Sequence, residues 1–149
     1  MRTSFFSKLG IGILVAVVAV GCASTGGKSA KKAKGPDDMA LIKNTLSQWE
    51  AGVVAKDVNQ VMGTISESFV GSEAGTKADM QRFLTGLINE GQLNDAKINM
   101  ANAKTVIDGG QATVAPVDID AAFGAASLYM TLKKEGEAWL ISGMEASER

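Results

Sequence analysis

Hydrophobic residues recur at helical spacing early in the second quarter of the chain. Successive members of the stripe are four, three and four positions apart, which places them on one side of a helix. The stripe consists of Ile42, Leu46, Trp49 and Val53. Asp37 or Asp38 is suited to cap its start. The pattern therefore predicts a helix over residues 38–55.

Two further helical segments follow. After Asp57 we expect a short helix, whose hydrophobic side consists of Val58, Val61, Met62 and Ile65. Residues 69–70 lead into a glycine-containing loop. Thr76 and Asp79 then have the spacing of a capping box. The helix behind them carries a marked apolar stripe formed by Met80, Phe83, Leu84, Leu87 and Ile88. Gly91 is placed to end it as a left-handed residue.

Beyond this point the hydrophobic period changes from helical to alternating. Residues 96–100 alternate as a strand does, and residues 108–110 (Asp-Gly-Gly) are typical of a hairpin turn. Residues 112–119 are predicted to be extended, with Pro116 marking an edge position or a bulge. Two strands joined by a polar turn follow over residues 126–144. Helices followed by a strand meander predict an α+β domain, with helices packed on one face of a curved antiparallel sheet.

The N-terminus has the layout of a secretory signal. Arg2 and Lys8 provide a basic start, and residues 9–20 form an uncharged apolar run. This run is shorter than the roughly 20 residues that a permanent membrane-spanning helix needs. We therefore expect a signal peptide here and not a transmembrane anchor.

Residues 18–22 (Val-Ala-Val-Gly-Cys) resemble a bacterial lipobox, with Ala19 where leucine is commonest. The resemblance implies a lipoprotein signal peptide over residues 1–21, with fatty acyl chains such as palmitate attached at Cys22. The alternative is that Cys22 is an ordinary apolar residue in a signal peptide that is cut elsewhere. Two or three acyl chains anchor a protein firmly, whereas one binds marginally.

Residues 22–35 read as a lipidated, flexible tether rich in Gly, Ser, Ala and Lys, and residues 36–149 as the folded domain. Because Ala23 follows the cysteine, the resemblance implies the outer membrane, facing the periplasm, if the host is Gram-negative. The lysines of the tether either rest on anionic headgroups or keep the tether soluble.

Charge and composition exclude several functions. The chain has 15 basic and 16 acidic residues, but residues 36–149 contain all of the acidic ones and nine of the basic ones, a net charge of −7. An acidic domain repels nucleic acid, so we expect no nucleic-acid partner. One cysteine and no histidine rule out an intramolecular disulfide and the usual zinc spacings. No metal or cofactor motif is present, and we expect neither.

The order of elements resembles the nuclear-transport-factor-2-like (NTF2-like) superfamily, which includes ketosteroid isomerases and polyketide cyclases. The resemblance covers residues 37–145. It is carried by Ile42 to Trp49 with Lys56-Asp57, the helix after Thr76, the Asp108-Gly109-Gly110 hairpin followed by Ala112, and Trp139-Leu140-Ile141. It implies a cone-like fold, a pocket between helices and sheet, and a homodimer. The alternative is a generic α+β sandwich.

Few residues are candidates for catalysis, and none is assigned to it. Asp118 and Asp120 share one face of a strand, while Val117 and Ile119 occupy the other and are expected to be the core side. The two carboxylates then point to solvent, unless a bulge reverses the phase. Tyr129 is a further candidate, but its alternation predicts a half-exposed strand position.

Trp49, Phe83 and Met130 are the predicted lining of a ligand pocket, although such residues more often fill a core. We also predict a homodimer. Leu128, Met130 and Leu132 face the helices in this interpretation, which leaves Leu140 and Met144, or Trp139 and Ile141, for an open second face.

The sequence favours a membrane-anchored envelope lipoprotein with a non-catalytic domain that binds a small ligand or another envelope protein. One alternative is an isomerase- or hydrolase-like enzyme that acts on a small apolar substrate in the cone. Another is a carrier of a lipid or hydrophobic metabolite.

Overall fold

The computed structural model describes residues 37–149. The predicted signal peptide, the lipidation site Cys22 and the tether lie outside this range. The described helices are α1 (Asp38–Ala55), α2 (Val58–Gly63) and α3 (Lys77–Asn89). The described strands are β1 (Ile65–Gly71), β2 (Gly75–Thr76), β3 (Lys97–Asn99), β4 (Lys104–Asp108), β5 (Gln111–Ala121), β6 (Gly124–Glu135) and β7 (Ala138–Glu148). None of these helices is both long and apolar enough to cross a bilayer.

Helix α1 is the amphipathic helix that the sequence predicts. The Asp37 carboxylate caps it by accepting a hydrogen bond from the main-chain N–H of Met39. Its predicted stripe is buried, and the members are Ile42, Leu46, Trp49 and Val53. The helix ends at Ala55, and the C-cap residue that follows it, Lys56, adopts a left-handed φ of 57°. The stripe forms the helix side of the core.

Helix α2 ends earlier than predicted, because Thr64 terminates it. The Thr64 hydroxyl donates to the carbonyl of Val61 at 2.6 Å, and the Thr64 carbonyl accepts from the N–H of Ile141 at 2.9 Å. The second bond brings the chain into the sheet. The prediction that Ile65 extends this helix was therefore wrong, since Ile65 begins β1. Strand β1 also contains residues 69–70, which were expected to lead into a loop.

Helix α3 has the predicted signals at both ends. Thr76 and Asp79 form a capping box in which each side chain accepts from the other residue's main-chain N–H. At the other end Gly91 has a φ of +70°, which glycine adopts without strain. Its N–H donates to Ile88, and that of Gln92 donates to Leu87. This pair of bonds is a Schellman motif.

The strands form one mixed sheet in the order β2-β1-β7-β6-β5-β3, with β4 paired to the first half of β5. The predicted α+β class, with helices packed on a curved sheet, is confirmed. The sheet is not wholly antiparallel, however, because β1 runs parallel to β7. This pair joins the first long strand to the last one. Alternation within a strand does not reveal a pairing between strands so far apart in the chain.

Strand β5 contains a bulge at Pro116. The pairing of β5 with β6 shifts between Val114 and Val117, and proline has no N–H to contribute to the ladder there. Of the two alternatives raised for Pro116, the bulge is the one observed. Because two residues separate Val114 from Val117, both valines can face the helices, and both are buried, as is Ile119.

A second bulge, in β7, decides which side chains face the helices. Leu132 pairs with Ile141, but the preceding Thr131 pairs with Gly143, so that Ser142 is the extra residue. Trp139, Ile141 and Met144 consequently all pack against the helix-side core. The expectation that one pair of these apolar residues covers the second face was wrong. The outer face of β6 and β7 instead carries mainly polar or small residues: Ser127, Tyr129, Thr131, Lys133, Leu140, Gly143, Glu145 and Ser147.

Candidate apolar ligand cavity

An apolar cavity of about 360 Å³ lies between the helices and the inner face of the sheet. Small-molecule sites in proteins begin at about 300 Å³, so this volume suits a small ligand. Most of its lining is hydrophobic: Trp49, Val53, Met80, Phe83, Leu84, Leu87, Leu93, Ile119, Phe123, Ala126, Leu128, Met144 and Ala146. The remaining lining residues are Glu73, Ser147 and Glu148.

The lining divides into a buried floor and an exposed rim. The floor includes Leu93 and Ile119, which belong to the buried core. The rim includes two aromatic residues, Phe83 with 50% of its surface exposed and Phe123 with 39%. Glu73, Ser147 and Glu148 are exposed as well. The cavity therefore opens to solvent through a rim that combines aromatic and acidic side chains.

Helix α3 and the segment after it form one wall. The stripe of α3 contributes side chains at positions three and four apart: Met80, Phe83, Leu84 and Leu87. After the Schellman turn, the N–H of Phe123 donates to the carbonyl of Gln92 at 3.1 Å, and that of Ala122 to Asn94 at 3.2 Å. These bonds attach the segment to the β5–β6 turn. They thereby place Leu93 and Phe123 at the same end of the cavity.

Strands β6 and β7 form the opposite wall. Leu128 pairs with Ala146, and Ala126 pairs with Glu148, so these four residues share the inner face. The bulge at Ser142 sets this phase for the second half of β7. Because Ala126 is small, its position leaves space that a larger side chain would fill.

The structure places two of the three predicted pocket residues in the lining, namely Trp49 and Phe83. Met130 does not line the cavity; it is fully buried and pairs with Val114 and Met144 in the sheet. Several lining residues were not predicted from the sequence. They include Glu73, Leu93, Ile119, Phe123, Ala126, Leu128 and Glu148. The sequence contained a signal for part of this wall, because Met80, Leu84 and Leu87 belong to the same apolar stripe of α3 as the predicted Phe83.

The catalytic candidates lie on the other side of the sheet. The Asp118 carboxylate accepts a hydrogen bond from the Ser127 hydroxyl at 2.6 Å and lies 3.4 Å from Nη1 of Arg149. Nη2 of Arg149 donates to the Asp120 carboxylate at 2.8 Å. Tyr129 lies on the same outer face and is 47% exposed. None of these three candidates lines the cavity, so none can act on a molecule bound there.

The carboxyl groups with shifted pKa values also lie away from the cavity lining. Hydrogen bonds from the Lys134 ammonium and the Trp139 indole hold the pKa of Asp38 below its ordinary value. The Thr76 hydroxyl and main-chain N–H do the same for the pKa of Asp79. Within residues 37–149, no group of three or more acidic, cysteine or histidine side chains could hold a metal ion.

Solved structures with the same fold come from several bacteria. An NTF2-like protein of unknown function from Shewanella baltica is 18% identical, with a TM-score of 0.59 over 73% of this chain and 91% of that one. Another from Pseudomonas putida is 12% identical, with a TM-score of 0.63 over 74% and 87%. A candidate dehydratase of the NTF2-like family from Streptomyces avermitilis is 10% identical, with a TM-score of 0.62 over 75% and 96%.

No protein-family model matches the sequence, and no curated protein matches it either. The structural similarity nevertheless shows that residues 37–149 adopt the NTF2-like fold, also described as cystatin-like. At these low identities the similarity concerns the fold alone. Any function has to be argued from the cavity itself.

Proposed function

We propose that this domain binds a small apolar molecule in the cavity and does not transform it. The observation that supports the proposal is the composition of the lining. The ionisable residues among the described lining are Glu73 and Glu148, which are exposed at the rim, whereas the floor of the cavity is apolar. A pocket of this kind gains affinity by removing apolar surface from water.

The alternative of an isomerase- or hydrolase-like enzyme has less support. Such chemistry needs an acid or base within hydrogen-bond reach of the substrate. Asp118, Asp120 and Tyr129 face away from the cavity, and the first two are engaged by Arg149. The carboxylates that do line the cavity, Glu73 and Glu148, are exposed at its rim and do not belong to its apolar floor. Binding without turnover is the simpler function for this lining.

Binding can be tested with N-phenyl-1-naphthylamine, a neutral dye whose fluorescence rises in an apolar site. Ala126→Leu fills the cavity from the inner face of β6 and should weaken dye binding at least tenfold. The matched control is Ala125→Leu, one residue earlier, where Ala125 pairs with the outer-face residue Asp120. Equal binding by the two variants, with both folded by circular dichroism, would contradict the assignment of the cavity as the binding site.

We further propose that the domain acts in the cell envelope, anchored to the membrane through acyl chains on Cys22. The sequence features that support this are the basic start, the short apolar run and the lipobox-like residues 18–22. Metabolic labelling of the full chain with an alkyne palmitate analogue should mark the protein and place it in the membrane fraction. Cys22→Ser should remove both the label and the membrane retention. A labelled, membrane-bound serine variant would refute the anchor.

Homodimerisation through the outer sheet face stays a prediction of the family resemblance. The outer face is more polar than the sequence pattern predicts, although Val70, Val106 and Tyr129 are exposed on the sheet. Sedimentation equilibrium of residues 36–149 at tens of micromolar, a range ordinary for weak interfaces, decides the matter. A monomer at all concentrations would remove the dimer.

A further inference from the structure

The rim of the cavity indicates the chemical class of the ligand. We propose that the cavity selects amphiphiles with a cationic head group, whose apolar part occupies the floor while the cation lies among Glu73, Glu148, Phe83 and Phe123. This inference rests on the proposed function, because it assumes that the cavity binds a ligand at all.

The charges along the lining support a cation. Glu73 and Glu148 are its ionisable residues, and neither carboxylate forms an ion pair with a cationic side chain of residues 37–149. The potential at the rim is therefore negative, and the net charge of −7 carried by residues 36–149 adds to it.

The aromatic side chains support the same class of ligand. Phe83 and Phe123 present half-exposed rings at the rim, and Trp49 contributes an indole to the lining. A cation over the face of an aromatic ring is attracted by the ring quadrupole, and aromatic residues commonly recognise quaternary ammonium groups. An anionic head group would instead approach two carboxylates with no cationic side chain in the lining to receive it, which disfavours fatty acids.

The test compares three ligands that share one alkyl chain: decyltrimethylammonium, decanol and decanoate. Each is titrated against N-phenyl-1-naphthylamine bound to the domain at neutral pH. Decyltrimethylammonium and decanoate are kept below the concentrations at which they form micelles, and decanol is kept below its solubility limit. We expect the cation to bind at least tenfold more tightly than the anion at low salt, with decanol between them. The preference should shrink as salt rises, since exposed charges are screened.

Paired variants locate the preference at the rim. Glu73→Gln combined with Glu148→Gln should abolish the cation preference, measured in each protein as the ratio of decyltrimethylammonium affinity to decanol affinity. The control combines Glu50→Gln with Glu137→Gln, which removes the same charge at residues outside the lining and should keep the preference. Equal loss in both double variants would attribute the effect to net charge and overturn the inference.

The remaining outcomes separate the two proposals. If decanoate binds as tightly as the cation, the cavity binds ligands but the selectivity for cations is refuted. If none of the three displaces the dye, and the dye itself does not bind, the proposed function fails together with this inference.

Discussion

The hydroxyl of Thr45 donates a hydrogen bond of 2.6 Å to the main-chain carbonyl of Trp139. The two residues are 94 positions apart in the chain, and both are buried. Thr45 lies on the stripe side of α1, and Trp139 lies near the start of β7. This bond therefore ties the first helix to the last strand at a point where neither group can turn to water instead.

Thr45→Val should destabilise the domain by about 1–3 kcal/mol, because the variant has almost the same shape but removes a partner from a buried carbonyl. Thr85→Val is the matched control, since Thr85 is exposed on α3 and its hydroxyl bonds within the helix. We expect the control to change stability by less than about 0.5 kcal/mol. Urea unfolding of residues 36–149 gives both values. Equal losses would show that the Thr45 bond contributes nothing specific.

Replacing two helical glycines with alanine should change the stability of the domain in opposite directions. A Cβ at Gly52 would lie 2.8 Å from Cγ2 of Val61 and 3.0 Å from its main-chain nitrogen, so α1 and α2 would have to separate. Overpacking of this kind costs about 1–3 kcal/mol. A Cβ at Gly86 meets nothing within 4 Å. Gly86→Ala should therefore stabilise α3 by about 0.5–1 kcal/mol through helix propensity. Thermal unfolding of the two variants tests the pair, and a stabilising Gly52→Ala would contradict the close packing.

The pH dependence of stability should contain a contribution from Asp38. Its Oδ1 accepts hydrogen bonds from Nζ of Lys134 at 2.6 Å and from Nε1 of Trp139 at 3.0 Å, which lower its pKa in the folded state. A lowered pKa stabilises the folded state above the ordinary aspartate pKa, and this stabilisation is lost as the pH falls through the lowered value. Asp38→Asn should thus be less stable than the native domain at neutral pH and approach it at acid pH.

The control for Asp38 is its neighbour. Asp37→Asn removes the same charge one residue earlier, and asparagine is as good a helix cap as aspartate. Urea unfolding at a series of pH values should show a difference that shrinks on acidification for Asp38→Asn alone. A loss of stability that stays the same at every pH would assign Asp38 a purely structural role.

The helices could be predicted from sequence because their signals are local. The stripe from Ile42 to Val53 and the capping box at Thr76 each lie within a few turns of chain, and the structure confirms both. The turn at residues 108–110 is equally local, and it joins β4 to β5. Such features depend on neighbouring residues, so one sequence is enough to identify them.

The sheet was harder to predict, because the strands with which a given strand pairs, often distant in the chain, decide which of its side chains face the helices. The bulge at Ser142 adjoins Gly143, but one glycine in a strand does not fix which residue is the extra one, and the bulge turns Met144 to the same face as Ile141. Strand β1 has an irregular burial pattern and pairs in parallel with β7, so alternation does not reveal it. The cavity depends on these features, which is why Trp49 and Phe83 were predicted in its lining while Leu128 and Glu148 were missed.

We expect the contacts of Arg149 to hold the end of β7 in place, and with it the rim of the cavity. Its guanidinium contacts Asp118 and Asp120, and its N–H donates to the carbonyl of Ala125 at 3.2 Å. The residue just before it, Glu148, lines the cavity. Arg149→Gln should lower global stability by less than about 1 kcal/mol, because the ion pair is partly exposed.

The local effects of Arg149→Gln should be clearer than the global one. Loosening the end of β7 should accelerate hydrogen exchange of the amides of residues 147–149 and weaken dye binding by up to about fivefold, which is equivalent to about 1 kcal/mol. Arg82→Gln is the matched control, since Arg82 is exposed, pairs with Asp79 on α3 and does not line the cavity. If both variants weaken the dye equally, the effect is one of net charge. If neither changes exchange at residues 147–149, the contacts of Arg149 do not hold the rim in place.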